Sequence, residues 1–281
     1  MSRRRELEQH RHRLEETREI MSSMQALAFM ETRKLAGFLD AQRAVVAHIH
    51  TVAEDFFSFY PETLAFVTDP KQVYLLLGTE RGFCGNFNES LIEALETQQT
   101  NNRPNPAWVI ASGNKLCAQF EENSPSITLL EGTSVVEEVE NTLMQIVATL
   151  SDLQTQHGGI SLTILHHDPD HEDVLCTQVL PPFESLRDSA AQFSHAPQLN
   201  LTPEKFCIEL IESYLFSTLH EILYLSLMAE NQRRVTHLES AVQQLDDKSA
   251  ALLRRGNTLR QEEITEEIEV ILLSTTLQQP Q

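Results

Sequence analysis

Two stretches of the sequence carry residue types that chemistry could use. The first, Gly-Thr-Glu-Arg-Gly-Phe-Cys-Gly-Asn-Phe-Asn at residues 78–88, follows an apolar run and precedes helical spacing. That is where α/β folds bind phosphates, on backbone amides at the start of a helix. The stretch lacks the Lys-Ser/Thr of a phosphate loop, and Gly78, Gly82 and Gly85 do not fall in a GxGxxG spacing. No acidic residue closes the next strand to hold a ribose, because Trp108 to Ala111 runs into Ser112 and Gly113. A tight structural turn, in which glycine admits positive φ and close packing, is the plainer account. The second stretch, His-His-Asp-Pro-Asp-His-Glu-Asp at residues 166–173, is rich in metal-ligand types. Zinc needs ligands at defined offsets on rigid elements. These lie in one hydrophilic connection interrupted by Pro169, so a solvated loop is expected instead of a metal site. No Ser/His/Asp or Cys/His set has a context that favours nucleophilic catalysis. No catalytic, cofactor-binding or metal-binding residue is therefore assigned.

The elements that hold these stretches alternate strand and helix. Val73 to Leu77, Trp108 to Ala111, Ile127 to Leu130 and Ile160 to Leu165 are short apolar runs of the kind buried strands use. A weaker run, Cys176 to Leu180, stops at Pro181 and Pro182. Helical spacing is expected over 88–98, 116–122 and 135–153, and a polar loop over 97–106. Strands separated by helical stretches predict an α/β domain with a mainly parallel sheet.

The two ends read differently. Leu7, Leu14, Met21, Ala28, Leu35, Ile49 and Phe56 recur at sevens, and a second series through Met24, Phe38, Val45 and Val52 lies three residues later. Gly37 is the only glycine or proline before Pro61. At the other end Pro203, behind Thr202 as N-cap, can open a helix with no further proline until Pro280. There Val235, Leu238, Val242, Leu245, Leu252 and Leu259 alternate by three and four, with Met228, Ser249 and Gly256 completing the series. An a/d repeat of this kind keeps one seam facing a partner helix. Helices over about 3–57 and 204–277 would be about 80 and 110 Å long at 1.5 Å per residue. Neither can stand alone in water, so the two are expected to pair antiparallel.

Composition restricts the function classes. The net charge is −20, and residues 1–34 hold eight Lys/Arg against six Asp/Glu, the rest 13 against 35. An acidic body repels nucleic acid, whose binding depends on cationic neutralisation of phosphates. No apolar stretch approaches the ~18 residues of a membrane span, and none follows the basic start to make a secretory signal. Four scattered cysteines without a CxxC pair suit a reducing, cytosolic compartment.

Ordered motifs then point to a family. Residues 253–268 resemble the C-terminal signature Tyr-Asn-x-x-Arg-Gln-x-x-Ile-Thr-x-Glu-Leu of F-type ATP synthase gamma subunits. Asn257, Arg260, Gln261, Ile264, Thr265 and Glu267 match it, with Ile268 in the Leu place. Arg-Gly-Phe-Cys-Gly-Asn-Phe-Asn near residue 80 is similar to the family's Arg-Gly-Leu-Cys-Gly-Gly-Phe-Asn. Residues 226–231 resemble its Ser-x-x-Ser-Glu-x-x-x-Arg stretch, and Ile20 to Met24 its Ile-Thr-x-Ala-Met.

The resemblance implies an α/β protein with long helices: an antiparallel coiled coil of the N- and C-terminal helices plus a central Rossmann-like α/β domain. Residues 1–60 and 201–281 would be the coiled-coil helices, and 61–200 the α/β domain. It implies a non-catalytic central-stalk rotor that couples ion flow across a membrane to ATP synthesis or hydrolysis. Its partners would be the alpha and beta subunits of the catalytic ring, the epsilon subunit and the membrane c-ring, with no nucleic acid and no small-molecule substrate or cofactor. Its place would be peripheral, at the cytoplasmic face of the bacterial inner membrane. Arg260, Gln261 and Thr265 would contact the ring's catch loops, and Met24 matches a position near the coupling contacts. Glu31 stands where the family has Lys, Asn86 replaces a glycine, Val270 replaces a Glu, and residues 272–277 replace Gly-Ala-Ala-Ala-Leu. These departures imply a divergent branch, with an alternative sodium-pumping bacterial ATPase as one reading. A coiled-coil scaffold with a non-catalytic α/β domain is the alternative.

Overall fold

The computed structural model describes residues 3–64, 70–101, 107–120, 126–183, 186 and 195–276. Helix α1 runs over Arg3–Phe59 and is followed, after a 3-10 turn, by β1 (Lys71–Leu77), α2 (Phe87–Asn101), β2 (Trp108–Ser112) and α3 (Asn114–Cys117). Then come β3 (Ile127–Leu130), α4 (Val139–His157), β4 (Ile160–His166), β5 (Leu175–Leu180) and α5 (Pro203–Thr276). The elements predicted from apolar spacing are all present. The helix expected over 116–122 is a single turn at 114–117, with 121 and 122 outside the described residues. The one expected from 135 starts later, behind a 3-10 turn at Val136–Glu138. The polar loop predicted over 97–106 is corrected in its first half, where 97–101 continue α2 as helix; 102–106 lie outside the described residues, as does residue 277 of the predicted C-terminal helix.

By its contacts the chain divides into one unit of Met1–Leu27 with Val235–Gln281 and another of Ala28–Arg234. The second holds a five-stranded sheet in the order β3-β2-β1-β4-β5. β1, β2, β3 and β4 pair in parallel, whereas β5 returns antiparallel beside β4. Alternation along the central strands sends Val73, Leu75, Leu77, Ile110, Leu162 and Ile164 to one apolar cluster, which α1, α4 and α5 cover. Tyr74, Leu76, Val109, Ala111 and Leu165 enter another, closed by Phe87, Leu91 and Leu95 of α2. Both faces are covered, which is why these strands are apolar throughout and not alternating. Within this unit α1 and α5 pack antiparallel: Gln42 Nε2 donates to the Ser217 carbonyl at 2.9 Å, while Phe56 stacks on Phe206 at 4.8 Å.

In the other unit the same two helices form a seam of their own. On α5, Val235, Leu238, Val242, Leu245, Ser249, Leu252, Gly256 and Leu259 are buried or half-buried, three and four residues apart, as the sequence predicts. On α1 the sevens series Leu7, Leu14 and Met21 is half-buried as expected, but its companion row is Arg4, Arg11, Arg18 and Gln25. The predicted series three residues later holds at its ends, where Met24 and Val52 are half-buried, and fails in its middle. Phe38 and Val45 are 47% and 46% exposed, while Leu35, Leu39, Ala53 and Phe56 are buried. The seam follows the row four residues on, and near the N-terminus arginine stems cover it where apolar side chains are absent. The arginine heads then reach acids of α5, Arg18 to Asp246 at 2.7 Å and Arg4 to Glu263 at 3.7 Å.

A joint in the ligand crevice, and residues along the helices

Open parallel sheets hold ligands outside the carboxyl ends of their strands, where the strand order reverses. Here the chain moves outward from β1 to β2 and β3, then returns to place β4 on the other side of β1. The reversal therefore lies between the ends of β1 and β4. Helix α5 occupies it. Ser226 Oγ donates to the carbonyl of Leu77, the last residue of β1, at 3.3 Å. Over the next two turns Glu230, Asn231 and Arg234 are 3%, 2% and 5% exposed. The Arg234 guanidinium donates to the Gly82 carbonyl at 3.1 Å, the Arg81 carbonyl at 3.4 Å and Asn231 Oδ1 at 2.9 Å, and it pairs with Glu230. The Glu230 carboxylate in turn accepts the backbone amides of Glu80 and Arg81. Burial pushes that carboxyl up, and the Arg234 charge and these hydrogen bonds oppose the shift. The ion pair thus satisfies donors and acceptors of the 80–82 backbone together, as a neighbouring strand would.

The same loop is fastened on its other side. Glu80 Oε2 accepts the amides of Asn114 and Gly132, both at 2.9 Å, and Arg81 Nε donates to Ser134 Oγ at 3.1 Å. A carboxylate of the chain itself thereby holds backbone amides that a ligand phosphate would need. The glycines serve this packing. A Cβ on Gly78 would lie 2.3 Å from the Leu116 Cβ, and Gly113, at φ +113°, passes within reach of the Gly78 carbonyl. Positive φ in the loop falls on Phe83 and Gly85, not on residue 86. Asn86 can therefore stand where the family signature has glycine. The clefts that flank the joint are acidic, one lined by Glu93, Glu172 and Asp173, the other by Glu80, Glu131 and Glu138. They repel a polyphosphate.

The predicted solvated loop at 166–173 needs correction. His166, His167 and Asp168 are 2%, 1% and 9% exposed; only 170–173 are exposed. His166 ends β4 and its Nε2 meets Thr177 Oγ1 at 3.1 Å. His167 is held by Arg233 of α5, whose Nη2 donates to Nδ1 at 3.0 Å. That contact leaves the ring proton on Nε2, which donates to the Phe87 carbonyl at 3.0 Å. Among the described residues no group of three His, Cys, Asp or Glu side chains is placed to hold a metal. Burial lowers both histidines, His167 to about 4, with Arg233 adding to the shift. A folded pKa below the unfolded value means that the unfolded chain binds more protons. Through His167 stability should therefore fall as pH drops below about 6.5, a contribution spent below about 4, while the raised Glu230 carboxyl acts in the opposite direction. His167→Gln should flatten that acid limb in thermal unfolding measured from pH 7 to 4.

The residues matched to the family's coupling signature lie elsewhere. Arg260, Gln261 and Thr265 are exposed on α5, and Met24 is half-buried on α1. Arg260 borders a cavity of about 150 Å³ left beside Gly256 of the seam, with Arg4 and Arg11 around it. The Thr265 hydroxyl donates to the Gln261 carbonyl at 2.9 Å. It therefore offers lone pairs outward and not the donor expected from its type. Pairing of Arg18 with Asp246 sets a register in which Met24 and Arg260 lie about 30 Å apart along the helices. The structure does not bring them together. Glu31, where the family has Lys, accepts the Val136 amide at 3.4 Å. The types of Glu230, Arg233 and Arg234 do not mark them as buried or functional in the sequence. Their one signal was the Ser-x-x-Ser-Glu-x-x-x-Arg pattern, which Glu230 and Arg234 complete.

Comparison with known proteins agrees with this geometry. A family model described as ATP synthase matches residues 3–275. The ATP synthase gamma chain of Clostridium botulinum is 22% identical over 264 residues, covering 91% of each chain. That of Saccharopolyspora erythraea is 23% identical, covering 97% of this chain and 96% of the relative. Among solved structures, a chain of the Euglena gracilis mitochondrial ATP synthase superposes with a TM-score of 0.60 at 15% identity, over 98% of this chain and 94% of its own. A chain of the Tetrahymena thermophila central stalk and c-ring gives 0.58 at 18% identity, over 79% and 99%. An α/β sheet whose ligand crevice is filled by its own helix, and a matching model over nearly the whole length, lead to one assignment: the chain belongs to the ATP synthase gamma family.

Proposed function

We infer that the chain is the central-stalk rotor subunit of an F-type ATP synthase and does no chemistry itself. The observation that carries this reading is the occupation of the sheet's ligand crevice by Ser226, Glu230 and Arg234 of α5. A fold that fills its own binding site has exchanged binding for a mechanical joint. The paired helices supply a surface for a surrounding ring of alpha and beta subunits, with Arg260, Gln261, Thr265 and Met24 as contacts to it. The epsilon subunit and the membrane c-ring are the remaining partners by family likeness. No helix among the described residues is long and apolar enough to cross a membrane. By family likeness its place is peripheral, at the cytoplasmic face of the bacterial inner membrane, where the c-ring would carry the ion.

The test is reconstitution. The purified chain should hydrolyse no ATP, and when mixed with the alpha and beta subunits it should enter their ring as a single copy and raise steady-state turnover. ATP hydrolysis by the chain alone, abolished by changes in residues 78–88, would contradict the reading.

A further inference from the structure

The loop at 80–82 is gripped from two sides. Its side chains are spent on the sheet, Glu80 on the amides of Asn114 and Gly132, and Arg81 on Ser134. Its backbone is spent on α5, carbonyls to Arg234 and amides to Glu230. The next residue toward the sheet's other half repeats the arrangement, since Arg233 holds His167 Nδ1 and the Glu172 carbonyl at 3.1 Å. Two consecutive arginines of one helix thus fasten the loops that follow β1 and β4. An ordinary apolar contact between helix and sheet resists separation but allows sliding, because dispersion and burial are not directional. A guanidinium fork bound to two carbonyls fixes an angle as well.

We propose that Glu230 and Arg234 are the positioning pair that makes α5 and the α/β sheet turn as one body, so that torque passes between helix and sheet through the backbone of residues 80–82. The proposal rests on the rotor reading above. It predicts a particular sensitivity: the fork geometry matters, not merely the buried charge. Arg234→Lys keeps the positive charge beside Glu230 but reaches only one carbonyl. The charge-reversed pair Glu230→Arg with Arg234→Glu keeps an ion pair but presents donors to carbonyl and amide in the wrong order.

The experiment measures hydrogen exchange in the isolated chain and coupling in the complex reconstituted with its ring and membrane sector. In Arg234→Lys the amides of Glu80 and Arg81 should exchange about tenfold to a hundredfold faster, while amides of β1 and β4 keep their protection. In the complex that variant should hydrolyse ATP at close to the wild-type rate and pump several-fold fewer ions per ATP. Arg233→Lys, tested the same way, should loosen the 167–173 loop and lower pumping less. Unchanged exchange and pumping in Arg234→Lys would overturn the proposal. So would hydrolysis and pumping that fall in parallel, or a charge-reversed pair that folds and pumps as the wild type does. A wild-type complex that neither assembles nor pumps would instead overturn the rotor reading, so the two failures are separable.

Discussion

Arg234→Ala is expected to cost the folded chain about 3–5 kcal/mol, the largest loss of any single substitution outside the apolar core. The side chain is 5% exposed and its removal strands the Glu230 carboxylate, itself 3% exposed, without its cation. The carbonyls of Arg81 and Gly82 lose their guanidinium donor together with it and keep only the weak Cys84 thiol. Most of the loss comes from an uncompensated buried charge and not from the net worth of the pair. The double replacement Glu230→Leu with Arg234→Met should therefore recover part of the stability while leaving the loop backbone unsatisfied. Chemical denaturation of the isolated chain measures both. Arg18→Ala is the contrast: its pair with Asp246 lies at the surface, where desolvation is small and salt screens the attraction. Little change is expected there. A loss from Arg234→Ala no larger than that from Arg18→Ala would show that the buried pair holds nothing together.

Arg260→Ala with Gln261→Ala should have the opposite profile, leaving the chain folded and impairing the assembled complex. Both side chains are exposed, so no packing is lost on their removal. Each charge-assisted hydrogen bond to a surrounding loop would be worth about 1.5–3 kcal/mol, enough to change the dwell of a catalytic site. Circular dichroism of the subunit should be unchanged, and coupled ATP turnover should fall several-fold. Thr265→Val is expected to do less, because its hydroxyl proton is already given to the Gln261 carbonyl. Unaltered turnover and ion pumping in the double variant would show these residues to be ordinary surface.

How much of this was legible in the sequence depended on whether a residue's type agreed with its place. The α5 seam was legible because its apolar residues stand where the partner helix lies, so Leu238, Leu245 and Leu252 name it without help. On α1 the pattern misled. Phe38 and Val45 are apolar yet stand outside the seam, while Arg4, Arg11 and Arg18 are charged yet cover it with their stems. Strands β1, β2 and β4 were legible as apolar runs because both faces of the sheet are covered. The polar residues of the joint were not. A Glu and an Arg four apart on a helix are the commonest exposed pair, and nothing in their types says that this pair is buried. His166 and His167 read as solvated for the same reason, although a strand end and an arginine bury them. Burial of polar groups is decided by partners far off in sequence, here residues 80–82 for Arg234 and 233 for His167. Periodicity along one segment cannot supply that.

The most direct test of the rotor assignment is to watch the chain turn. Cys176 is exposed on β5, whereas Cys84 and Cys207 are buried and burial raises their thiols, Cys84 to about 12. A bead attached through Cys176 of the chain, in a complex whose alpha and beta ring is fixed to a surface, reports its motion under ATP. The rotor assignment predicts stepwise rotation in one direction at a rate set by ATP turnover. A bead that stays still, or only jitters, while the fixed ring consumes ATP at its full rate would contradict it.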